Sequence, residues 1–147
     1  MISIQTEDFD AGAEIEHLTG ETGEVGAVVS FVGVVRGGPE SDPLINMTIE
    51  HYPGMTEREL AKIEAEARER WPLQDALIVH RTGTLKPGDR IVLVVTASAH
   101  RKAAFEAAEF LMDYLKTRAP FWKREVRPSG VHWVEAKDAD DAVAARW

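Results

Sequence analysis

Two strand-length stretches, residues 25–36 (VGAVVSFVGVVR) and 90–97 (RIVLVVTA), are apolar on both alternating faces. Successive strand side chains point to opposite sides, so a strand with one wet face shows alternation. These two do not alternate. Each therefore reads as an interior strand covered on both sides, and a chain with two of them must supply layers to cover them.

The rest of the chain supplies those layers. Residues 2–5 read as a short edge strand, and Asp8 or Asp10 caps a short helix through Leu18. Residues 37–43 (GGPESDP) are a polar Gly/Pro loop, the candidate for a lid. Residues 44–52 (LINMTIEHY) alternate, with Ile45, Met47, Ile49 and His51 on one face, and read as a strand antiparallel to its predecessor. Thr56 and Glu59 have capping-box spacing, with Met55 and Leu60 at the staple positions, so a helix is expected from there to about Arg70. Trp71-Pro72 ends it. Residues 76–81 (ALIVHR) are a short strand, and TGTLKPGDR holds a Pro-Gly-Asp turn. A helix is expected over residues 100–118, stopped by Pro120. PFWKREVR and VHWVEA flank Pro128-Ser129-Gly130 as a hairpin, and Asp138 caps a last helix. The order β α β β α β β α β β α predicts an α+β fold with mostly antiparallel pairing, built as a single domain over residues 1–147.

Composition narrows the function classes. The chain has no cysteine, which removes disulfides, thiolate metal sites and a cysteine nucleophile. Its longest apolar runs are strand-sized and its N-terminus lacks a signal-peptide pattern, so a cytoplasmic protein is expected, with no membrane span. A net charge of −8 disfavours a general nucleic-acid binder. The charge is uneven, however. Residues 100–127 carry seven of the 17 Lys and Arg and four of the 25 acids, so the window is +3 and the remainder −11. A basic island on an acidic protein is where an anion docks.

On a helical wheel of residues 103–118, Phe105, Ala108, Leu111, Met112 and Leu115 belong to a wide apolar arc. Lys116 falls at its border. One reading makes it a surface lysine paired with Asp113. The other joins it to Lys123, Arg124 and Glu125 beyond the helix, beside Phe121 and Trp122. In an extended strand Lys123 and Glu125 share a face with Phe121, so Lys123 meets Lys116 only if the strand folds back over the helix end. Lys123 alone also reads as an edge-strand lysine that blunts aggregation. His100 and Arg101 stand where a strand gives way to a helix, a place suited to an anion; the plain alternative is an N-cap and a solvated arginine. Arg36 ends a buried strand before a Gly-Gly loop. His51 reads as a core histidine, and His80 and His132 carry no signal. No histidine spacing supports a metal site, and no phosphate-loop or nucleophile-elbow pattern occurs.

Four blocks in order, GAVVSFVGVVR, IEHYPGMTERELAKI, VHRTGTLKPGDRIVLVV and SAHRKAAFEAAEFLMDYLKTRAPFWKRE, resemble the large, catalytic subunit of molybdopterin synthase. The resemblance implies an α/β-hammerhead fold and a homodimer within a heterotetramer. It implies a small ubiquitin-like partner that inserts a C-terminal Gly-Gly tail carrying a thiocarboxylate. Sulfur then passes to cyclic pyranopterin monophosphate (precursor Z), forming the dithiolene of molybdopterin. No cofactor of the chain's own is implied. The matching positions are Arg36, His100, Arg101, Lys116, Lys123, Arg124 and Glu125, with Lys116 and Lys123 tied to catalysis and Val34 and Val35 in the substrate-contact segment. Val34 stands where some relatives carry lysine, and Lys137 where some carry an arginine that reaches a neighbouring subunit. A carrier of sulfur on another chain agrees with the absence of cysteine here. The competing reading is a non-catalytic module that binds a partner's tail in a basic groove.

Overall fold

The computed structural model describes residues 1–134 and 138–147. Its elements are β1 (Ile2–Gln5), α1 (Ala11–Thr19), β2 (Ala27–Val34), β3 (Asn46–His51), α2 (Met55–Arg70), β4 (Leu73–Arg81), β5 (Gly83–Leu85), β6 (Arg90–Ser98), α3 (Arg101–Thr117), β7 (Phe121–Arg127), β8 (Gly130–Val134) and α4 (Asp138–Ala144). They form two four-stranded sheets, ordered β1-β4-β6-β2 and β5-β3-β7-β8. Among the described residues only β1 and β4 pair in parallel, and every other ladder is antiparallel. The expected α+β class is borne out. Among the described residues, no helix is long and apolar enough to cross a membrane.

The first sheet holds the core because its middle strands are covered on both faces. Leu77, Val79, Leu93, Val95 and Ala97 point toward α1, where Phe9 and Leu18 cover them. Ile78, Val92 and Val94 point the other way, into Leu60 and Ile63 of α2 and Leu111 and Leu115 of α3. Each such side chain contributes about 1.5–3 kcal/mol by leaving water. This is why β6 shows no polar alternation: every residue from Ile91 to Ser98 is buried.

β2 departs from expectation. It pairs only with β6 and is the edge of its sheet, with Phe31 42% and Val34 53% exposed. Its apolar second face lines a cleft rather than a covered core, a distinction that residue type does not make. β3 likewise does not pair with its predecessor β2. The loop at residues 37–43 carries the chain across to the second sheet, where β3 lies between β5 and β7. The segment Gly83–Leu85, read above as part of a turn, pairs with β3 as a short strand. The Pro-Gly-Asp turn follows it, with the Lys86 N–H donating to Asp89 Oδ2 at 2.8 Å.

α1 begins as expected, with Asp10 accepting from the Ala13 N–H. α2 starts two residues before the expected box. Gly54, at φ 86°, takes the N-cap position, and its N–H donates to Glu57. Thr56 is fully buried and bonds the Tyr52 backbone instead, while Glu59 pairs with Arg118. On α3 the wheel misplaces Phe105 and leaves Phe110 unassigned. Phe105 is 60% exposed, whereas Phe110 is fully buried against the edges of Trp71, Tyr114 and Trp147. The last residue closes this cluster. The Trp147 indole N–H donates to Asp113 Oδ2, and Arg70 donates to the Trp147 carbonyl at 2.6 Å.

Candidate functional site

α3 ends because Pro120 cannot continue it. Arg118 holds the last turn by bridging Glu59 and Glu66 of α2. The chain then reverses, and β7 runs back past the helix end. This reversal brings Lys116, in the last turn of α3, into one cleft with Lys123 of β7. The pairing of Lys116 with Asp113 does not form. Asp113 instead accepts from Trp147 and Arg146, and Lys116 makes no ion pair among the described residues.

β7 alternates as its sequence predicts. Phe121, Lys123, Glu125 and Arg127 face the cleft. The opposite wall is the exposed end of β2 at Val34 with the two residues that follow it, buried Val35 and exposed Arg36. Backbone bonds hold that strand end: the Val35 N–H donates to the Asp89 carbonyl, and the Gly88 N–H to the Val35 carbonyl, both at 2.8 Å. The cleft has a volume of 580 Å³. Among the described residues its lining carries four cations, Arg36, Lys116, Lys123 and Arg127, against the one carboxylate of Glu125. Arg127 pairs with that carboxylate at 2.6 Å and donates to the Asp42 carbonyl at 2.7 Å. Asp42 in turn accepts from the Ser129 hydroxyl and N–H. The candidate lid is therefore tied to the turn between β7 and β8, and Glu125 is the inner end of the tie.

Beneath the two lysines the cleft narrows to a cavity of 80 Å³, lined by His80, Phe121, Met112 and Leu115 among others. His80 carried no signal in sequence and is the residue that reading missed. It is 6% exposed, and its ring stacks on Phe121 with centroids 3.8 Å apart. Nδ1 lies 2.8 Å from the Arg81 carbonyl, which can only accept, so Nδ1 carries the proton and Nε2 the lone pair. Burial pushes the imidazole down to about 3, and the positive charges of Lys123, Lys116 and His51 act in the same direction; the bond to Arg81 opposes them. The available signal was strand parity. His80 shares a face with Ile78, inside a strand that is apolar on both sides.

Not every expected residue joins the site. Arg124 lies on the other face of β7, opposite Thr48 and Trp133, and its buried Nε has no hydrogen-bond partner among the described residues. His100 takes the N-cap position of α3 without a side-chain cap. His100 and Arg101 are exposed and do not line the cleft. His100 stands 16 residues before Lys116 along α3, about 24 Å away at 1.5 Å per residue. Lys137 lies outside the described residues.

The geometry is thus a cationic cleft with an apolar, constricted floor and two amines at the constriction. The family model described as "MoaE protein" matches residues 4–118. A curated relative, the "Molybdopterin synthase catalytic subunit" of Mesorhizobium japonicum, is 57% identical over 148 residues, covering 99% of this chain and 92% of its own. A solved "Molybdopterin biosynthesis MoaE protein" from Burkholderia ambifaria superposes with a TM-score of 0.85 at 53% identity, covering 99% of this chain and 96% of that one. The crystal structure of molybdopterin synthase from Staphylococcus aureus is similar at a TM-score of 0.83 and 34% identity, over 90% of this chain and 96% of that one.

Proposed function

Because the chain belongs to the MoaE protein family, we propose that it acts as the catalytic, sulfur-transferring subunit of a molybdopterin synthase. Its cleft receives the thiocarboxylated Gly-Gly tail of a small ubiquitin-like subunit and the phosphate-bearing precursor Z. The observation that carries this reading is the meeting of Lys116 and Lys123, from two different elements, at the narrow end of one cationic cleft. A volume of 580 Å³ suits a pterin-sized ligand. The 80 Å³ constriction suits a tail without side chains, and glycine is the residue that meets that condition.

Each residue then has a task. Arg36 at the cleft mouth and Lys123 within it attract the anionic substrate. Lys116 and Lys123 donate and accept protons, and stabilise the oxyanions that develop as the thiocarboxylate sulfur attacks the pterin side chain and the resulting thioester is hydrolysed. Glu125 acts through Arg127 on the loop at residues 37–43. His100 and Arg101 enter a site when a second copy of the chain carries its own α3 start to this cleft. The distance of His100 and Arg101 from the cleft of their own chain is the reason for reading a homodimer, with a small subunit on each copy completing a heterotetramer. The outer face of the second sheet, with Trp122 47%, Trp133 58% and Val131 60% exposed, is apolar enough for a subunit contact.

Reconstitution tests the reading. The purified chain, its thiocarboxylated small subunit and precursor Z together yield the dithiolene product. Tail binding without product, with both proteins folded, would leave only a tail-binding module.

A further inference from the structure

The imidazole of His80 is a buried titratable group that the reaction above does not use. It sits below the lysine pair with one nitrogen already committed to the Arg81 carbonyl. The other, Nε2, is the only polar atom the ring has left for the cavity that it lines with Lys116 and Lys123. Both neighbours carry ammonium groups, which are donors without any acceptor. Phe121 stacks flat on the ring, and β4, which carries it, is an inner strand of the first sheet, so the imidazole has little freedom to rotate. Its burial excludes the protonated form, so the lone pair is present throughout the neutral range.

We infer that His80 is a positioning residue for the sulfur-transfer site: its fixed Nε2 lone pair accepts a hydrogen bond from one of the two lysine ammonium groups beside it and sets where a proton is delivered. This rests on reading the cleft as the sulfur-transfer site. It assigns no proton uptake to His80 itself. Among the described residues, the titratable groups facing the ring are Lys116 of α3, Lys123 of β7 and His51 of β3.

Two variants separate the lone pair from the ring. His80→Phe keeps an aromatic ring against Phe121 and removes the acceptor, whereas His80→Gln offers an amide oxygen near the position of Nε2. A hydrogen bond to a charged group carries a factor of about ten or more, so kcat in His80→Phe falls at least about tenfold with KM little changed, and His80→Gln recovers most of it. The second readout needs no turnover. In the chain labelled with ¹³C at lysine Cε, His80→Phe lowers the titration midpoint of a cleft lysine by about one unit, because the acceptor had favoured the ammonium form. Thermal melting of both variants verifies folding. Wild-type kcat and an unmoved lysine titration in folded His80→Phe overturn the inference. So does a His80→Gln as impaired as His80→Phe, which makes the role one of packing. If the wild-type chain yields no product at all, the sulfur-transfer reading fails, and the lysine titration still decides whether His80 contacts an amine.

Discussion

His80 also makes stability depend on pH in a window of its own. In the folded chain its imidazole is pushed down to about 3, chiefly by burial. In the unfolded chain it titrates near 6.5. Between these values the unfolded state binds one proton more than the folded state, so stability rises with pH and is lost as pH falls. Integrated from pH 7.5 to 4.5, the loss is about 2.5 kcal/mol, a large share of a typical domain's 5–15 kcal/mol. Asp8 and Asp42 also have lowered carboxyls, Asp8 chiefly through Arg90 and Asp42 chiefly through Ser129. Their contribution is present above the unfolded carboxylate range and is lost progressively from about pH 5 downward, and His80→Phe keeps both carboxylates, so the comparison of the two proteins isolates the histidine. The assay is urea unfolding at pH 7.5 and 4.5, at one protein concentration because assembly adds to apparent stability. Wild type loses about 2.5 kcal/mol more than His80→Phe across that interval. Equal losses in the two proteins refute the claim that His80 is buried and neutral.

Three further outcomes follow from particular contacts. Lys116 makes no ion pair among the described residues, so Lys116→Ala shifts stability by only about 0.5 kcal/mol, while sulfur transfer falls by about 10²–10⁴-fold; near-normal turnover in the reconstituted assay removes Lys116 from the chemistry. Phe110 is fully buried and touches three aromatic rings, so Phe110→Ala costs about 3–5 kcal/mol by chemical denaturation, and a cost near 1 kcal/mol means that the cluster collapses to fill the gap. Asp42→Ala removes both bonds to Ser129; amide exchange across residues 37–43 speeds up while the core strands keep their protection, and unchanged exchange shows that the Arg127 bond alone holds the loop.

Much of the fold is legible from side-chain parity and stop signals. The two-faced runs locate the first sheet, Pro120 ends α3, and the β7–β8 hairpin stands where Pro128-Ser129-Gly130 puts it. Parity fails where an apolar surface has a purpose other than burial. Phe31 and Val34 resemble core residues and instead wall a cleft. Pairing partners fail too, because β3 meets β7 across more than 70 residues of sequence and no local pattern records such a contact. At the site, the alternation of β7 separates Lys123 and Glu125 from Arg124, although the resemblance carried all three into the expected site. The meeting of Lys123 with Lys116 depends on a three-residue reversal between α3 and β7, whose direction no residue type specifies. His80 was invisible for another reason: its importance comes from what lies above it, on two elements distant in sequence.

Under the proposed function, the steps take an order from the shape of the cleft. Its wide part, between β2 and β7, carries Arg36 and admits a bulky anion. Its narrow part, over His80 and Phe121, carries the two amines and admits only a slender chain. A Gly-Gly tail that fills the constriction presents its sulfur to a pterin held in the wide part, with both lysines beside the junction. A pterin that entered the constriction first would block the tail, and 80 Å³ is too small for its rings. On the proposed reading the tail reaches the narrow end in every cycle, and each spent carboxylate tail leaves before the second sulfur arrives. Exchange of the small subunit is then a step of the reaction, and steady-state turnover should slow when spent, carboxylate-ended small subunit is added. A turnover rate indifferent to that competitor, with its binding verified, would refute the ordering.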